Sequence, residues 1–293
     1  MINVALETGE NRRQTIKKAL VGLGEDFVVK CRDAQSIFVH VNLIDHEIQL
    51  ACTHVDAVRG LLDVIRERAN TPIIIGDAGY RGTKAAFRNF GYEHLEREYA
   101  DVLLFDLNDD DFIEQKIELS ENETLTLRRA KTCHSAQLRI SLSPMKTSVE
   151  TGVSLSIESW SMGTWIVPPR VSATGMIWTK SPWLPSKSAH AKVIVELFEK
   201  TPCQVAIIDG IMAMQGEGPV AGKAVQMEVV LAGFDPVAVD ATAATLMGFD
   251  PMSIEYLKIC HERRLGVADM SKINVPPMIM AQYSKRFAHN LHS

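Results

Sequence analysis

Two acidic residues that follow short apolar stretches are the first candidates for chemistry in this sequence. Asp77 ends the stretch IIIGD, and Asp209 ends AIID just before Gly210. The carboxyl ends of parallel strands open onto a shared crevice, where a carboxylate can bind a metal ion, a hydroxyl group or an amine. The alternative is that each aspartate caps the turn or helix that follows it.

A glycine-rich segment, DGIMAMQGEGPVAG, continues from Asp209 and places Glu217 next to Gly218. Glycines allow a ligand to approach the backbone closely and leave N–H groups free to bind an anion. The segment has neither the Walker A pattern nor GxGxxG. It is therefore a binding loop of another kind or an ordinary turn, and Glu217 is a candidate catalytic acid.

Two further aspartates lie at a predicted helix over residues 237–246. Asp235 precedes Pro236, which makes it a natural N-cap as well as a candidate catalytic acid. Asp240 lies within the helix among apolar residues, where a charge is costly unless it is paired. The predicted catalytic set is Asp77, Asp209, Glu217 and Asp235.

Polar residues near predicted strand and helix ends are the candidates for substrate binding. Asn42 shares a strand face with His40, given the period of two. Thr53 is the predicted N-cap of a helix over 53–69, whose dipole disfavours a charged His54 and suits a neutral ligand or base. The binding set is Asn42, Thr53, His54, Lys146, His190, Gly210 and Gly218, and each of these also has a structural explanation.

No local cofactor motif accompanies these residues. The five cysteines are scattered and no CxxC pair occurs, so the sequence has no local iron–sulfur or zinc signature. HExxH and GxSxG are also absent. A divalent metal ion held by the acidic residues is the cofactor that this set of side chains allows, and its identity is unknown.

Alternating strands and helices must position the candidate residues. Apolar stretches at 36–43, 72–77 and 101–105 alternate with helical patterns at 53–69 and 83–90, which indicates βαβ units. Further predicted elements are a strand pair over 112–131, strands 138–142, 204–209 and 227–232, and helices 12–24, 93–99, 190–200 and 254–264. The predicted fold class is α/β, with a mainly parallel sheet built from βαβ units and helices on both faces.

The stretch 143–190 has the least regular pattern and contains all four tryptophans of the chain. It is predicted to be an irregular, Trp/Pro-rich insertion, either a lid over a binding site or a packed flap. The predicted division is one α/β domain over 1–277, in one lobe or two, and a C-terminal tail over 278–293.

Composition narrows the class of protein. Hydrophobic residues make up 46% of the 293 residues, and the net charge is -5, without the basic surface of a nucleic-acid binder. No apolar run approaches the roughly 20 residues of a membrane helix, and the N-terminus lacks a signal-peptide core. We expect a soluble cytoplasmic protein that binds a small polar or anionic molecule, not nucleic acid or membrane, with a homo-oligomer as an open alternative.

Longer patterns resemble a known family. The run IIDGIMAMQGEGPVAGKAVQMEVVLAGFDPVAVDATAATLMGFDP, followed by IEYLKICHERRLGVAD, is similar to the C-terminal half of domain of unknown function family 362. HVNL, THVDAVRG and GDAGYRGTKAAFRNFGY resemble earlier parts of that family in order, so the resemblance spans roughly 36–270. It implies a fold rather than an activity. Many members carry an appended ferredoxin module, but this sequence lacks the clustered cysteines of that module.

The sequence departs from the family's usual motifs at several positions. His40 stands where the resemblance implies a lysine, in a motif that is usually Lys-Pro-Asn-Leu. Lys146 is kept in the middle motif, but Ser148 replaces a histidine there. Glu158 and Ser159 replace a Lys-Asn pair. If these positions form the family's site, this member has altered or lost part of it.

Two hypotheses about function follow. The first is an enzyme that acts on a small polar or anionic molecule with an acidic, metal-dependent or redox-linked site. The second is a non-catalytic protein that binds a ligand or a partner through a degenerate site. Convergence of the four predicted acids and Lys146 on one pocket would favour the enzyme, whereas their dispersal as caps would favour the binding protein.

Overall fold

A computed structural model describes residues 1–120, 123–173, 175–184 and 186–288. The strands are β1 (Ile2–Asn3), β2 (Ala5–Thr8), β3 (Ile37–Val41), β4 (Ile73–Asp77), β5 (Val102–Asp106), β6 (Phe112–Ser120), β7 (Glu123–Ala130), β8 (Leu138–Ser148), β9 (Gly152–Ser154), β10 (Trp165–Ile166), β11 (Arg170–Ser172), β12 (Gly175–Ile177), β13 (Val205–Gln215), β14 (Lys223–Gly233) and β15 (Ile273–Asn274). The first and last strands pair with each other as a small parallel ribbon.

The helices are α1 (Arg12–Val21), α2 (Glu25–Asp33), α3 (Val55–Arg66), α4 (Thr83–Asn89), α5 (Leu95–Glu98), α6 (Lys131–Ser135), α7 (Ser156–Gly163), α8 (Lys187–Lys200), α9 (Pro236–Leu246), α10 (Glu255–Glu262) and α11 (Pro277–Tyr283). Short helical turns occur at Gln49–Ala51, Tyr92–His94, Leu107–Asp109, Ser181–Trp183, Pro251–Ser253 and Met270–Lys272. Among the described helices, none combines the length and the apolar character needed to cross a membrane.

The central sheet has eight strands, in the order β2, β14, β13, β8, β3, β4, β5, with β9 paired to β8 beside this path. The five strands from β13 to β5 are parallel to their neighbours. β14 and β2 extend the sheet in antiparallel fashion. Parallel neighbours require crossover connections, which the helices supply. The predicted α/β class with a mainly parallel sheet is confirmed.

Helices cover both faces of this sheet, as predicted. Successive strand residues point to opposite faces, so Ile37 and Val39 of β3 join the core beneath α1, α2 and α3. Phe38 lies on the other face, in the core formed with α7, α8, α9 and α10. His40 follows on that second face, where its ring meets Trp160 edge to face at a centroid distance of 5.9 Å.

A separate antiparallel sheet consists of β6, β7 and β10. Its side chains Ile117 and Leu127 pack against Val193 and Leu197 of α8 in a third core. The predicted strand pair over 112–131 is therefore confirmed. Residues 121 and 122 of the predicted turn between the two strands lie outside the described residues.

The Trp/Pro-rich stretch is more regular at its start than its sequence indicates. β8 continues beyond the predicted end at 142 to Ser148, and the serine-rich stretch 156–163 forms α7. Serine side chains can hydrogen-bond to the backbone in non-helical conformations, so a serine-rich sequence did not predict this helix. Asp240 of α9 stabilises the start of α7, because its carboxylate accepts the N–H groups of Ser156 at 2.9 Å and Ile157 at 3.0 Å.

Thr53 is not the N-cap of α3, contrary to the prediction. His54 takes that position, and its Nδ1 accepts the N–H of Asp56 at 3.1 Å. The Thr53 hydroxyl instead accepts the N–H of Asn42 at 2.9 Å and donates to the Leu142 carbonyl at 2.8 Å. Thr53 therefore connects Asn42, which directly follows β3, to β8, the strand that carries Lys146.

The C-terminal segment lies against α9. The N–H groups of Lys285 and Phe287 donate to the carbonyls of Leu246 and Met247. Phe287 is buried in the core beneath α9. The division into a domain over 1–277 and a tail over 278–293 stays a prediction, and residues 289–293 lie outside the described part of the chain.

Candidate functional site

A pocket of about 210 Å³ opens where β3 and β4 end, between α7, α8 and the segment that precedes α8. This edge of a parallel sheet is the usual ligand-binding edge of α/β proteins. Five separate parts of the chain supply its polar wall. The principal polar residues are Asn42, Asp77, Glu158, Ser159, Lys180 and His190.

His40 and Asp77 form a buried pair at the floor of this pocket. Nε2 of His40 lies 3.1 Å from Oδ1 of Asp77, while Oδ2 accepts the N–H of Leu43 at 2.8 Å. Gly163 of α7 covers the pair so closely that a Cβ there would lie 2.0 Å from Nε2 and 2.3 Å from Oδ1. Only glycine fits at this approach, which fixes α7 over the end of β4 and holds the Asp77 carboxylate in one orientation.

A chain of hydrogen bonds runs behind the pocket wall from Lys146 to Ser159. The fully buried Lys146 donates from Nζ to the Ala51 carbonyl at 2.7 Å and to Oδ1 of Asn42 at 3.1 Å. Nδ2 of Asn42 then donates to Oγ of Ser159 at 2.8 Å. Burial lowers the pKa of Lys146. Asn42 and Lys146, both members of the predicted binding set, thus lie next to each other, with Asn42 in the wall and Lys146 behind it.

Three proton-carrying side chains, Glu158, Lys180 and His190, reach the pocket from separate parts of the chain. Burial lowers the pKa of Lys180 to about 8, against the opposing effects of Asp77 and Glu158. Burial also lowers the pKa of His190, and Glu158 partly opposes this. His190 is 8% exposed, and its Nε2 has no hydrogen-bond partner within the described part of the chain. Lys180 can therefore exchange a proton near neutral pH.

Asp209 lies away from this pocket, on the face of the sheet that α1 covers. Its Oδ2 accepts Nε of Arg12 at 2.6 Å, and its Oδ1 accepts the N–H of Ile211 at 3.1 Å. Burial raises the pKa of Asp209, while Arg12 opposes this. His54 caps α3 on the same side, and burial lowers its pKa. The expectation that Asp209 and Asp77 share one crevice is wrong, because Asp209 pairs with α1 instead.

Asp235 is the N-cap of α9. Its Oδ1 accepts the N–H of Ala238 and its Oδ2 accepts the N–H of Val267, each at 3.0 Å. Burial raises the pKa of Asp235, and these hydrogen bonds oppose the shift. The carboxylate therefore joins α9 to the segment after α10 and does not reach the pocket.

The glycine-rich segment contributes Pro219 to the pocket lining but no polar side chain. Glu217 is exposed and does not line the pocket. Gly218 passes so close to Thr147 that a Cβ would lie 2.0 Å from the Thr147 carbonyl oxygen. Gly210 is a buried residue of β13, beside the point where its register with β14 shifts. Of the four predicted acids, only Asp77 lines the pocket.

Glu158, Ser159 and Lys180 are pocket residues absent from the predicted site. Glu158 and Ser159 stand where the sequence departs from the family's usual motifs, as do Ser148 and His40. Ser148 also lines the pocket, and His40 lies directly beneath it. The clustering of these departures is the signal that could have located the site. Lys180 lies in the irregular stretch, where no periodicity could place it.

The cysteines supply no cluster for a cofactor. Cys31, Cys52, Cys133, Cys203 and Cys260 are each free and buried. Throughout the described ranges, no three His, Cys, Asp or Glu side chains are grouped so that they could hold a metal ion. The cofactor stays unassigned, as it is from the sequence.

Comparisons with known proteins match this chain to one family and to solved structures. A family model described as "Domain of unknown function (DUF362)" matches residues 37–245. The solved lactate racemase apoprotein from Thermoanaerobacterium thermosaccharolyticum is 15% identical, with a TM-score of 0.53 over 84% of this chain and 57% of that one. A Thermotoga maritima crystal structure is 12% identical, with a TM-score of 0.42 over 78% of this chain and 57% of that one. This chain thus spans little more than half the length of either, and none of the curated proteins matches it.

Proposed function

Since the chain belongs to the family described as Domain of unknown function (DUF362), we propose a function from the pocket itself: an enzyme that transfers a proton to or from a small polar molecule. The observation that carries this proposal is the convergence of Glu158, Lys180 and His190 on one pocket beside Asp77. Positioned acid and base groups of this kind accelerate reactions by about 10²–10⁴-fold.

Each of these groups has a distinct role in the proposal. Glu158 is the base in this proposal, because it lines the pocket, where a carboxylate can accept a proton from a bound molecule. His190, whose pKa is lowered by burial, accepts or returns a proton at Nε2, which has no hydrogen-bond partner among the described residues. Lys180 contributes positive charge that stabilises a developing anion. Asp77, held by His40, orients the bound molecule without leaving its place.

The polar wall indicates the class of substrate. Ser159 accepts a hydrogen bond from Asn42 and can donate its own O–H to a ligand. Ser148 and Thr179 add hydroxyls to the same lining. The positive charge of Lys180, with that of Lys146 behind the wall, offsets the negative charges of Asp77 and Glu158. This balance suits a small hydroxylated molecule with at most one charge.

One observation favours a non-catalytic binding protein as the second candidate. Two of the predicted catalytic acids have structural partners, since Asp209 pairs with Arg12 and Asp235 caps α9. Under this alternative the pocket retains a ligand through the same hydroxyls and carboxylates, but no proton is transferred.

Solvent hydrogen exchange tests the proposal. The protein would be incubated in D₂O with a panel of small hydroxy acids, hydroxy ketones and hydroxy aldehydes, and the loss of C–H signals followed by NMR. Lactate belongs in the panel because one structural neighbour is named as a lactate racemase. We expect exchange with the wild type, a loss of about 10²-fold or more in Glu158→Gln, and wild-type rates in Glu217→Gln.

The two glutamate variants separate the hypotheses. Exchange lost only in Glu158→Gln would support chemistry in the pocket. Exchange lost in Glu217→Gln would instead favour the glycine-rich segment that the sequence predicts. A panel member that raises the melting temperature of the wild type, yet exchanges no hydrogen, would contradict the enzyme and favour the binding protein.

A further inference from the structure

Lys180 reaches the pocket from a segment that is anchored to the loop after β4. The N–H of Trp178 donates to the Tyr80 carbonyl at 2.8 Å, and Nζ of Lys180 donates to the Ala78 carbonyl at 3.0 Å. Lys180 itself lines the open volume, as do its neighbours Thr179 and Ser181. A backbone carbonyl therefore holds the amine at the wall, and no carboxylate forms a direct ion pair with it in the described structure.

Lys146 provides the contrast within the same molecule. Burial lowers the pKa of both lysines. Nζ of Lys146, however, is enclosed by the Ala51 carbonyl and Asn42 and does not line the pocket. Of these two lysines, only Lys180 combines an amine that is readily deprotonated with access to the pocket.

We propose that Lys180 is a nucleophile that binds a small hydroxylated aldehyde or ketone as a covalent imine in this pocket. The inference depends on the proposed function, because it uses the same pocket and the same acid and base groups. It adds a covalent step and restricts the substrate class to molecules with a carbonyl group.

The chemistry balances without a further reactant. Lys180 first loses a proton to the Glu158 carboxylate. The free amine then forms an N–C bond to the carbonyl carbon, the C–O π bond breaks, and one proton moves from the new ammonium nitrogen to the alkoxide oxygen. The resulting carbinolamine loses its hydroxyl as water, assisted by the proton that Glu158 returns. Amine and carbonyl thus give an imine and water, with no change in oxidation state. A protonated imine acidifies the adjacent C–H, which Glu158 or His190 can then remove.

Burial makes this step feasible near neutral pH. With a pKa of about 8, about a tenth of Lys180 is free amine at pH 7, against roughly one in 2,500 for an ordinary lysine. Exposed lysines such as Lys187 and Lys223 therefore serve as internal references.

Reductive trapping tests the proposal. Wild-type protein would be treated briefly at pH 7 with glyceraldehyde or dihydroxyacetone and sodium cyanoborohydride, and the modified lysines mapped by peptide mass spectrometry. We expect Lys180 to be alkylated at least about tenfold faster than Lys187 and Lys223, and Lys146 to be unmodified. From pH 6 to 10, modification of Lys180 should reach half of its maximum near pH 8 and level off above about pH 9, whereas modification of the exposed lysines continues to rise.

The outcomes are distinct from those for proton transfer. Modification of Lys180 no faster than that of the exposed lysines would overturn the imine, even if solvent exchange still depends on Glu158. Selective modification of Lys180 would support the imine whether or not exchange is found. In Lys180→Arg the selective product must disappear while the exposed sites react as before. The comparison of Lys180 with the exposed lysines is made in the wild-type protein, so the test remains valid even if Lys180→Arg fails to fold.

Discussion

At the scale of single residues, Gly163 sets the geometry of the pocket floor. It lies over His40 and Asp77 with no room for another carbon atom, since an added Cβ would meet Nε2 and Oδ1 inside van der Waals contact. A pair held this tightly cannot move aside without tilting α7, which carries Glu158 and Ser159. The spacing between pocket floor and pocket wall therefore depends on the absence of a side chain at Gly163.

We predict that Gly163→Ala destabilises the protein by about 1–3 kcal/mol, the usual cost of overpacking a buried site. Urea denaturation would measure the change. In a double-mutant cycle with His40→Ala, the combined loss should be smaller than the sum of the single losses, because removing the imidazole relieves the clash. Additive losses would show that the glycine is not constrained by this pair.

At the scale of elements, α7 is a helix that depends on a neighbour for its first turn. Asp240 of α9 accepts the N–H groups of Ser156 and Ile157, as well as the hydroxyl groups of Ser156 and Tyr256. Burial raises the pKa of Asp240 to about 7, although these donors favour its charged form. The buried aspartate noted in the sequence thus has a structural partner, and its effect on the pocket is transmitted through α7.

We predict that Asp240→Ala costs at least about 3 kcal/mol, because it leaves several buried donors without an acceptor. Asp250→Ala is the matched control: Asp250 caps a short exposed turn by accepting the N–H of Met252 at 3.0 Å, and its loss should cost no more than about 1 kcal/mol. Chemical denaturation of both variants would compare the two costs. Equal losses would contradict the role assigned to Asp240.

The same elements show what the sequence could predict. β3, β4 and α3 carry clear apolar periodicity, so their positions follow from the pattern alone. α7 has no such pattern, since its serines are tolerated only because Asp240 and the core around Trp160 hold them. Apolar periodicity therefore could not place Glu158, Ser159 or Gly163 at the pocket, whereas Asp77 was a candidate because of its position at the end of β4.

At the scale of the whole molecule, two aspartates in the same local context have different partners. Asp77 and Asp209 each follow an apolar strand, and the sequence treats them alike. Asp77 contacts His40, a residue of the neighbouring strand. Asp209 instead forms an ion pair with Arg12, which is 197 residues away in the chain. A contact over that separation cannot be inferred from local pattern, and for this reason the predicted acidic site divides between the two faces of the sheet.

The Arg12–Asp209 pair makes the stability of the whole chain depend on pH, because it joins α1 to β13. A carboxyl group whose pKa is raised in the folded state binds its proton more tightly there than in the unfolded chain, so stability falls as the pH rises above the ordinary value for aspartate. Arg12 limits that fall by pairing with the charged form. We predict that Arg12→Ala costs about 3–5 kcal/mol at pH 7 and less as the pH falls toward 4, because a growing share of Asp209 is then protonated.

Urea denaturation of Arg12→Ala at pH 4, 5.5 and 7 would measure this divergence from the wild type. Arg13→Ala is the matched control, since Arg13 pairs with Asp63 at the surface, where the arginine side chain is 42% exposed. Arg13 lowers the pKa of Asp63 through a direct hydrogen bond. Its loss should therefore cost less than about 1 kcal/mol at each of the three pH values. A large cost for Arg12→Ala that is the same at all three pH values would show that Arg12 stabilises α1 by packing and not by pairing with the buried carboxylate.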